Sequence, residues 1–225
     1  MSDLIVYSCI TGGRDRVREY EDARPGVSYV MFTDAVPPYI MGSHIEFRSL
    51  SPHMPPGLDP ARQAMWHRWH PHKLFPEGAL TLWLDGNYRT KADPRGYFYG
   101  FTGDPLFIRH PYRQDCYEEA QEHINIGRYD TDRIHSQMAF YGRQGYASGQ
   151  GLVMTGFIGR RVPRASDRQM VGFFEETFAH VRRWSVRDQL AVNYCAWRFG
   201  VPIAAHPSMT EANFFEDEPH ARETS

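Results

Sequence analysis

The chain has 225 residues, of which 41% are hydrophobic and 23% charged; this composition excludes a disordered chain and suits one soluble domain with a buried core. Its formal net charge of -2 gives no general attraction to nucleic acid. The cysteines Cys9, Cys116 and Cys195 are far apart in the sequence, which argues against a disulfide framework and favours a reducing compartment.

The first residues lead directly into a strand-like segment rather than into a signal peptide, and no apolar run reaches the length of a membrane span. We therefore expect a cytoplasmic protein without a membrane span.

Two apolar runs near the start predict buried strands, Leu4–Ile10 and Val27–Phe32. Thr11, Gly12 and Gly13 follow the first strand, where glycines allow a ligand to approach the backbone closely or simply form a tight turn. Asp34 follows the second strand, and its carboxylate could accept a hydrogen bond from a ribose or a base, or cap the next turn.

Asp59-Pro60 predicts the start of a helix, with Asp as the N-cap and Pro at the first helical position. His67, His70 and His72 cluster towards the end of this helix. A zinc site is conceivable there, but no Cys or acid joins the histidines at a suitable spacing, so a polar cluster is favoured.

The central feature of the sequence is the apolar run Leu80–Leu84, which is followed by Asp85, Gly86 and Asn87. A buried strand of this kind brings a carboxylate to the carboxyl end of a sheet, where ligands bind in open α/β folds. We therefore expect the other polar strand ends to converge on Asp85.

The rest of the sequence alternates between strand-like and helix-like patterns. The predicted elements are a strand at Leu106–Arg109, helices at Cys116–Ile126 and Thr131–Gln144, a strand at Gly151–Ile158, helices that begin near Ser166 and Ser185, and a strand at Pro202–Ala205 that ends in His206. This alternation predicts an α/β sandwich around a mostly parallel sheet, formed by one domain (1–210) and a mobile acidic tail (211–225). The absence of G-x-G-x-x-G, P-loop and G-x-S-x-G motifs weakens dehydrogenase, kinase and serine-hydrolase interpretations.

An ordered set of short motifs resembles a GT-A glycosyltransferase-like domain once known only as a domain of unknown function, found in plant pectin- and mucilage-related proteins and in bacteria. The motifs are Ile10-Thr11-Gly12-Gly13, Phe32-Thr33-Asp34, His72-Lys73-Leu74-Phe75-Pro76, Trp83-Leu84-Asp85-Gly86, Arg109-His110-Pro111-Tyr112-Arg113, Tyr117-Glu118-Glu119-Ala120 and Arg187-Asp188-Gln189. Together they extend over about residues 4 to 200. The resemblance implies a single GT-A-like (Rossmann-like) three-layer α/β/α sandwich.

The resemblance also implies a nucleotide-diphosphate sugar as donor. The expected donor-binding residues are Thr11, Gly12, Gly13, Asp34, Arg62, Arg68, Lys73, Asp85, Gly86, His110 and Arg113. Among these, arginine and lysine side chains are expected to neutralise the diphosphate.

A divalent cation, Mn²⁺ or Mg²⁺, is implied as cofactor, because Asp85 takes the first place of an Asp-x-Asp motif. The third place is Asn87, whose amide oxygen can bind a cation but brings no charge. His206 is the expected third ligand, with His220 as a weaker candidate.

Asp188-Gln189 at the start of a late helix resembles the acid position of GT-A enzymes, so the resemblance implies Asp188 as the catalytic base for an acceptor hydroxyl. Ser185-x-x-Asp188 also fits a helix capping box, and the helical angle places Asp188 towards solvent or a cleft. Glu118 and Glu119 are alternative bases, and the other interpretation is a solvated helix face.

Three functions remain open from the sequence. The first is sugar transfer to a glycan, to a lipid-linked precursor or to a hydroxylated DNA base; the basic run Arg160, Arg161, Arg164 and Arg168 would favour DNA or would form a solvated loop. The second is a nucleotide- or glycan-binding module without turnover. The third is a metal-dependent hydrolase that uses Asp85 and the histidine cluster.

Overall fold

The computed structural model of the chain describes residues 4–13, 15, 24–35, 44–100, 102–208 and 210–217. The strands in these residues are β1 (Leu4–Ile10), β2 (Val27–Thr33), β3 (Ile45–Ser49), β4 (Leu80–Leu84), β5 (Tyr88–Thr90), β6 (Leu106–Arg109), β7 (Val153–Arg161), β8 (Ala204–His206) and β9 (Phe215–Asp217). The α-helices are α1 (Pro60–Trp69), α2 (Cys116–Asn125), α3 (Thr131–Arg143), α4 (Arg168–Arg183), α5 (Val192–Phe199) and α6 (Glu211–Phe214). Short 3-10 turns lie at Pro71–Lys73, Pro94–Phe98 and Asp188–Leu190.

The main sheet of the described chain has seven strands in the order β3-β2-β1-β4-β7-β6-β8. β7 is antiparallel to both of its neighbours, and the other six strands run in one direction. The carboxyl ends of β1, β2, β4 and β6 therefore share one edge with the start of β7. The expected mostly parallel α/β sheet is confirmed.

Side chains alternate between two cores along each central strand, as the twofold period of a strand requires. In β1, Tyr7 and Cys9 face the core formed with helices α1 to α5, whereas Val6 and Ile10 face the opposite core. Trp83 of β4 enters the helix-side core next to Tyr7, with ring centroids 5.2 Å apart. The helix side thus carries most of the aromatic packing that fixes the central strands.

On the other face of the sheet, the described residues include the turn Pro94–Phe98, α6 and the small antiparallel sheet β5-β9. Phe215 is 3% exposed and stacks on Phe157 of β7, with ring centroids 4.7 Å apart. Residues 211–217 were expected to form a mobile tail, but they form α6 and β9 and pack against the main sheet. The physical reason is the Phe214-Phe215 pair, whose apolar surface is buried there. In the described residues, no helix combines the length and apolarity needed to cross a membrane.

Replacing Phe215 with Ala is expected to lower the free energy of unfolding by about 3–5 kcal/mol, because it leaves a cavity against Phe157. The measurement is urea unfolding, followed by tryptophan fluorescence. Ile126→Ala is the control, since Ile126 is 55% exposed and a surface change costs less than about 0.5 kcal/mol. Equal losses in the two variants would contradict the packed position of residues 211–217.

Candidate active site

A cavity of about 370 Å³ opens at the carboxyl ends of β1 and β4, which is where open α/β sheets bind ligands. Its lining residues come from four parts of the chain. They are Cys9, Ile10, Thr11 and Gly12 at the end of β1, Trp83, Asp85, Gly86 and Asn87 at the end of β4, Asp59, Pro60, Ala61, Ala64, Met65 and Arg68 at the N-cap and along α1, and the loop and turn residues Asp15, Arg128, Tyr129, Val186, Arg187 and Asp188. Its volume is in the range of small-molecule sites, about 300–1,000 Å³.

Burial raises the pKa of the Cys9 thiol, so this group stays protonated and is a poor nucleophile.

β4 delivers Asp85 to this cavity, as the sequence predicts. The Asp85 backbone N–H donates to the carbonyl of Gly156 on β7 at 3.0 Å, and Trp83 Nε1 donates to Asp85 Oδ1 at 2.9 Å. Gly86 is required next to it, because a Cβ atom there would lie 2.7 Å from Cγ1 of Ile10. The side chain of Asp85 is 33% exposed, so a ligand in the cavity can reach it.

Arg68 of α1 lies between Asp85 and Asp188 and is itself 3% exposed. Its Nη2 donates to Asp85 Oδ1, and its Nη1 donates to Asp188 Oδ2 at 2.7 Å and to Thr155 Oγ1 at 3.1 Å. Burial alone would lower the pKa of Arg68, but the charges of Asp188 and Asp85 raise it above its usual value. Arg68 is therefore a permanent cation inside the site.

Asp188 is 2% exposed and lines the cavity, so of the two surroundings expected for its side chain, solvent is wrong and a cleft is confirmed. A 3-10 turn at Asp188–Leu190 precedes α5, in place of one long helix from Ser185. The carboxylate also accepts hydrogen bonds from Trp69 Nε1 at 2.9 Å and from Thr155 Oγ1 at 2.8 Å. These donors, together with Arg68, stabilise the buried charge on both oxygens.

The loop after β1 is held against the start of α1. Thr11 Oγ1 donates to the carbonyl of Pro60 at 2.6 Å, and the Gly12 N–H donates to Asp34 Oδ2 at 2.8 Å. Gly12 and Gly13 both have positive φ, 62° and 61°, and a Cβ at Gly12 would lie 2.9 Å from Pro60. Thr11 and Gly12 line the cavity, whereas Asp34 is not a lining residue and contacts the loop through its bond to the Gly12 N–H.

Arg62 and Lys73 were expected at the donor site, but the structure places both elsewhere. Arg62 donates to the carbonyls of Val181 at 3.1 Å and Trp184 at 3.2 Å, so it closes the C-terminal end of α4. Lys73 lies beyond the far end of α1, about 15 Å from its start for a ten-residue helix, and its Nζ is 2.6 Å from Glu175 Oε1.

The histidine cluster is a polar cluster on α1 and the turn after it. His67 Nε2 accepts from the Ser51 N–H at 3.1 Å, and burial lowers the pKa of His67 to about 4. The rings of His70 and His72 each place Nε2 3.1 Å from the Glu175 carboxylate. In the described chain, no group of three or more His, Cys, Asp or Glu side chains could hold a metal ion. The hydrolase interpretation therefore finds no support here.

His110 and Arg113, also expected to bind the donor, line a second cavity of about 530 Å³. Arg113 Nε donates to Glu119 Oε2. Glu119 is fully buried, so the expected solvated position of its side chain is wrong. Burial alone would raise the pKa of Glu119, but His123, Arg187 and Arg113 hold that pKa well below its usual range. Glu118 is exposed and its carboxylate accepts from the Gln114 N–H at 2.8 Å.

The residues expected to hold a divalent cation do not come together in the described chain. Asp85 and Asn87 line the first cavity, but Asp85 Oδ1 already accepts from Arg68 and Trp83. His206 is on β8, which β7 and β6 separate from β4, so it lies about 14 Å away at the usual strand spacing. Its Nε2 bonds the Tyr97 carbonyl at 2.6 Å. The expectation of His206 as a ligand beside Asp85 is therefore wrong, and His220 lies outside the described residues.

The cavity also contains residues that the sequence did not single out. Arg128 and Tyr129 reach it from the loop between α2 and α3, and the Arg128 guanidinium lies 5.8 Å from the Tyr129 ring centre. A signal existed in Gly127, whose φ of 62° turns the chain at the end of α2. Arg128 and Tyr129 were not predicted because the predicted site residues follow strand ends, whereas this loop joins two helices.

Residues 1–222 match the family model described as TOD1/MUCI70, glycosyltransferase-like domain. One relative is the probable hexosyltransferase MUCI70 of Arabidopsis thaliana, which is 30% identical over 78 residues. The match covers 33% of this chain and 13% of that protein, so the chain spans a small part of the relative's length.

Two solved glycosyltransferase structures share the fold. The apo structure of the bifunctional glycosyltransferase WbbM has a TM-score of 0.53 and 10% identity, over 91% of this chain and 39% of that chain. The apo form of mouse xyloside xylosyltransferase 1 has a TM-score of 0.51 and 9% identity, over 91% of this chain and 84% of that chain. These similarities confirm the GT-A fold.

Replacing Arg68 with Met is expected to cost about 3–5 kcal/mol of unfolding free energy, because it leaves Asp188 buried without its charge partner. Asp188→Asn in the same chain removes that charge. The loss of unfolding free energy in the double variant should therefore be smaller than the sum of the two single losses, by about 0.5–3 kcal/mol. A double-mutant cycle from urea unfolding measures this coupling. Strictly additive losses would show that the pair does not interact.

Proposed function

The chain belongs to the TOD1/MUCI70 glycosyltransferase-like family, and on that premise we propose that it transfers a hexosyl group from a nucleotide-diphosphate sugar to a hydroxyl of an acceptor glycan. The observation that carries this proposal is the cavity at the ends of β1 and β4, in which Asp85 faces a glycine-containing loop. A donor in this cavity would lie over Thr11 and Gly12, with its sugar towards Asp85.

The leaving diphosphate needs positive charge, because negative charge develops on it as the sugar–phosphate bond breaks. Arg68, Arg128 and Arg187 line the cavity and can meet that charge. Since Asp85 is already bonded to Arg68, the described residues do not fit a metal site. The proposed reaction therefore contains no step through Mn²⁺ or Mg²⁺. We propose that Oδ2 of Asp85 accepts hydrogen bonds from hydroxyl groups of the nucleotide sugar.

In the reaction, an acceptor hydroxyl oxygen bonds to the anomeric carbon, the bond from that carbon to phosphate breaks, and the hydroxyl proton passes to a base or to an oxygen of the leaving diphosphate. Asp188 is a candidate base, but both of its oxygens accept hydrogen bonds and it is almost fully buried. We therefore favour a positioning role, in which Asp188 orients Arg68 beside Asp85.

The geometry favours a glycan acceptor over hydroxylated DNA. Arg160 belongs to the basic run proposed for DNA, but it is 1% exposed and cannot contact DNA. Its guanidinium carbon lies 4.9 Å from the ring centre of Phe174. Arg161 pairs with Leu80 at the start of β4, so this run lies at the opposite edge of the sheet from the cavity. A lipid-linked saccharide is one form in which a glycan acceptor can be presented. A binding module without turnover is the alternative function, since Asn87 and the bonded Asp85 weaken the metal motif.

UDP or GDP is expected to raise the melting temperature of the protein, and Arg128→Gln should weaken the binding of that nucleotide about tenfold, the cost of one charge-assisted hydrogen bond. Differential scanning fluorimetry with EDTA measures the shift. Arg143→Gln is the matched control, because Arg143 is exposed on α3 and does not line the cavity. No shift with either nucleotide, with EDTA or with Mn²⁺, would contradict donor binding; a shift only with Mn²⁺ would show that Asp85 binds a cation despite Arg68.

Asp188→Asn separates the two roles of that carboxylate. If Asp188 orients Arg68, we expect the variant to bind nucleotide at least about tenfold more weakly, with a matching rise in KM for the donor. If Asp188 is the base, kcat falls by about 10²–10⁴-fold while nucleotide binding is unchanged. Turnover of UDP- and GDP-hexoses and nucleotide titration measure both quantities, with exposed Asp132→Asn as the control. Absence of donor turnover in the wild-type protein, together with nucleotide binding, would favour the binding module.

A further inference from the structure

The second cavity opens at the same edge of the sheet as the first. It lies where β6 and β8 end and β7 begins, and Arg109 of β6 pairs there with Val153 of β7. Because β7 stands between β4 and β6, the two strand ends are about 10 Å apart at the usual strand spacing. A saccharide of a few units can therefore extend from one cavity to the other.

The second cavity carries an excess of positive charge. Arg109 and Arg113 line it, and no Asp or Glu is among its described lining residues. Arg113 is bonded to Glu119, but Glu119 Oε1 also accepts from Arg187 Nη2 at 2.9 Å. Two arginines thus share one carboxylate, and the exposed Arg109 adds a further positive charge.

The loop His110–Arg113 has a fixed shape that presents an aromatic ring. His110 Nδ1 accepts from the backbone N–H groups of Tyr112 at 3.2 Å and Arg113 at 3.0 Å. Burial lowers the pKa of His110, although Glu119 opposes that shift, so the ring is neutral near pH 7. Tyr112 is 80% exposed at the rim of the cavity, where its ring can pack against the apolar face of a sugar.

Asn193 of α5 forms part of the wall of the second cavity. Its side chain lines the second cavity and the residue is 7% exposed, yet its Oδ1 accepts no hydrogen bond within the described structure. Leaving a buried acceptor unbonded costs about 1–3 kcal/mol. This oxygen has almost no accessible surface, so a ligand in the cavity does not reach it directly.

We propose that the second cavity binds the acceptor, and that this acceptor is a saccharide carrying a carboxylate, sulfate or phosphate group. The proposal rests on the transferase function proposed above. Arg109 and Arg113 bind the anionic group, and Tyr112 packs on a sugar ring. Duplex DNA fits less well, because the cations line a concave cavity with an aromatic rim and do not form a stripe along the surface.

The test is binding of the full chain to matched pairs of acidic and neutral oligosaccharides on an array, with uronate, sulfate and phosphate members. Isothermal titration of the tightest acidic binder then compares variants. We expect acidic members to bind at least tenfold more tightly than their neutral partners. Arg109→Gln and Tyr112→Ala should each weaken that binding at least fivefold. Arg161→Gln, the same change at the opposite edge of the sheet, should have no effect.

Three results would overturn the proposal: no preference for acidic members, equal loss in Arg161→Gln and Arg109→Gln, or tighter binding of a duplex DNA that Arg109→Gln abolishes. Nucleotide titration of the same samples separates this proposal from the donor site. Nucleotide binding without acidic saccharide binding would overturn the acceptor site alone. Acidic saccharide binding at Arg109 without nucleotide binding would leave the saccharide site and remove the transferase.

Discussion

Arg68 is buried between Asp85 and Asp188, and four parts of the fold meet around its guanidinium. Arg68 itself comes from α1, Asp85 from the end of β4, Thr155 from β7 and Asp188 from the turn before α5. Taking these charges out of water is costly, and a buried ion pair often stabilises a protein no more than apolar packing would. Its value here is geometric: the network fixes the side chain of Asp85 and the wall of the first cavity at the same time.

The same network changes what Asp85 can do. A carboxylate at the end of β4 would be an obvious ligand for a divalent cation, but one of its oxygens already bonds an arginine that never loses its charge. The Arg68 guanidinium therefore occupies the position beside Asp85 before any ligand enters. Under the transferase function proposed above, such a site would bind the donor through arginines and hydrogen bonds, and it would not need a second acid in place of Asn87.

The parts of this site that follow from local sequence could be predicted. β4 and Asp85 follow from an apolar run that ends in a turn, and the start of α1 follows from Asp59, whose side chain accepts from the Arg62 N–H. The position of Lys73 depends on its ion pair with Glu175 of α4, which is far away in sequence. The position of His206 depends on strand order, because β8 follows β6 in the sheet although it is the eighth strand in sequence. Neither is encoded in a short segment, and the burial of Asp188 depends on donors far away in sequence.

Glu119 links the two cavities by the same physical means that Arg68 uses in the first. It is fully buried on α2, and it holds Arg187 at the first cavity and Arg113 at the second. An arginine that is already held in place loses little side-chain freedom when an anion binds, so less of the binding energy is spent on ordering it. Because both arginines are held by one rigid carboxylate, the positive charges of the two cavities keep a fixed separation. A transferase must align a donor diphosphate with an acceptor to within a fraction of an ångström, and such a fixed pair of charges would contribute to that alignment.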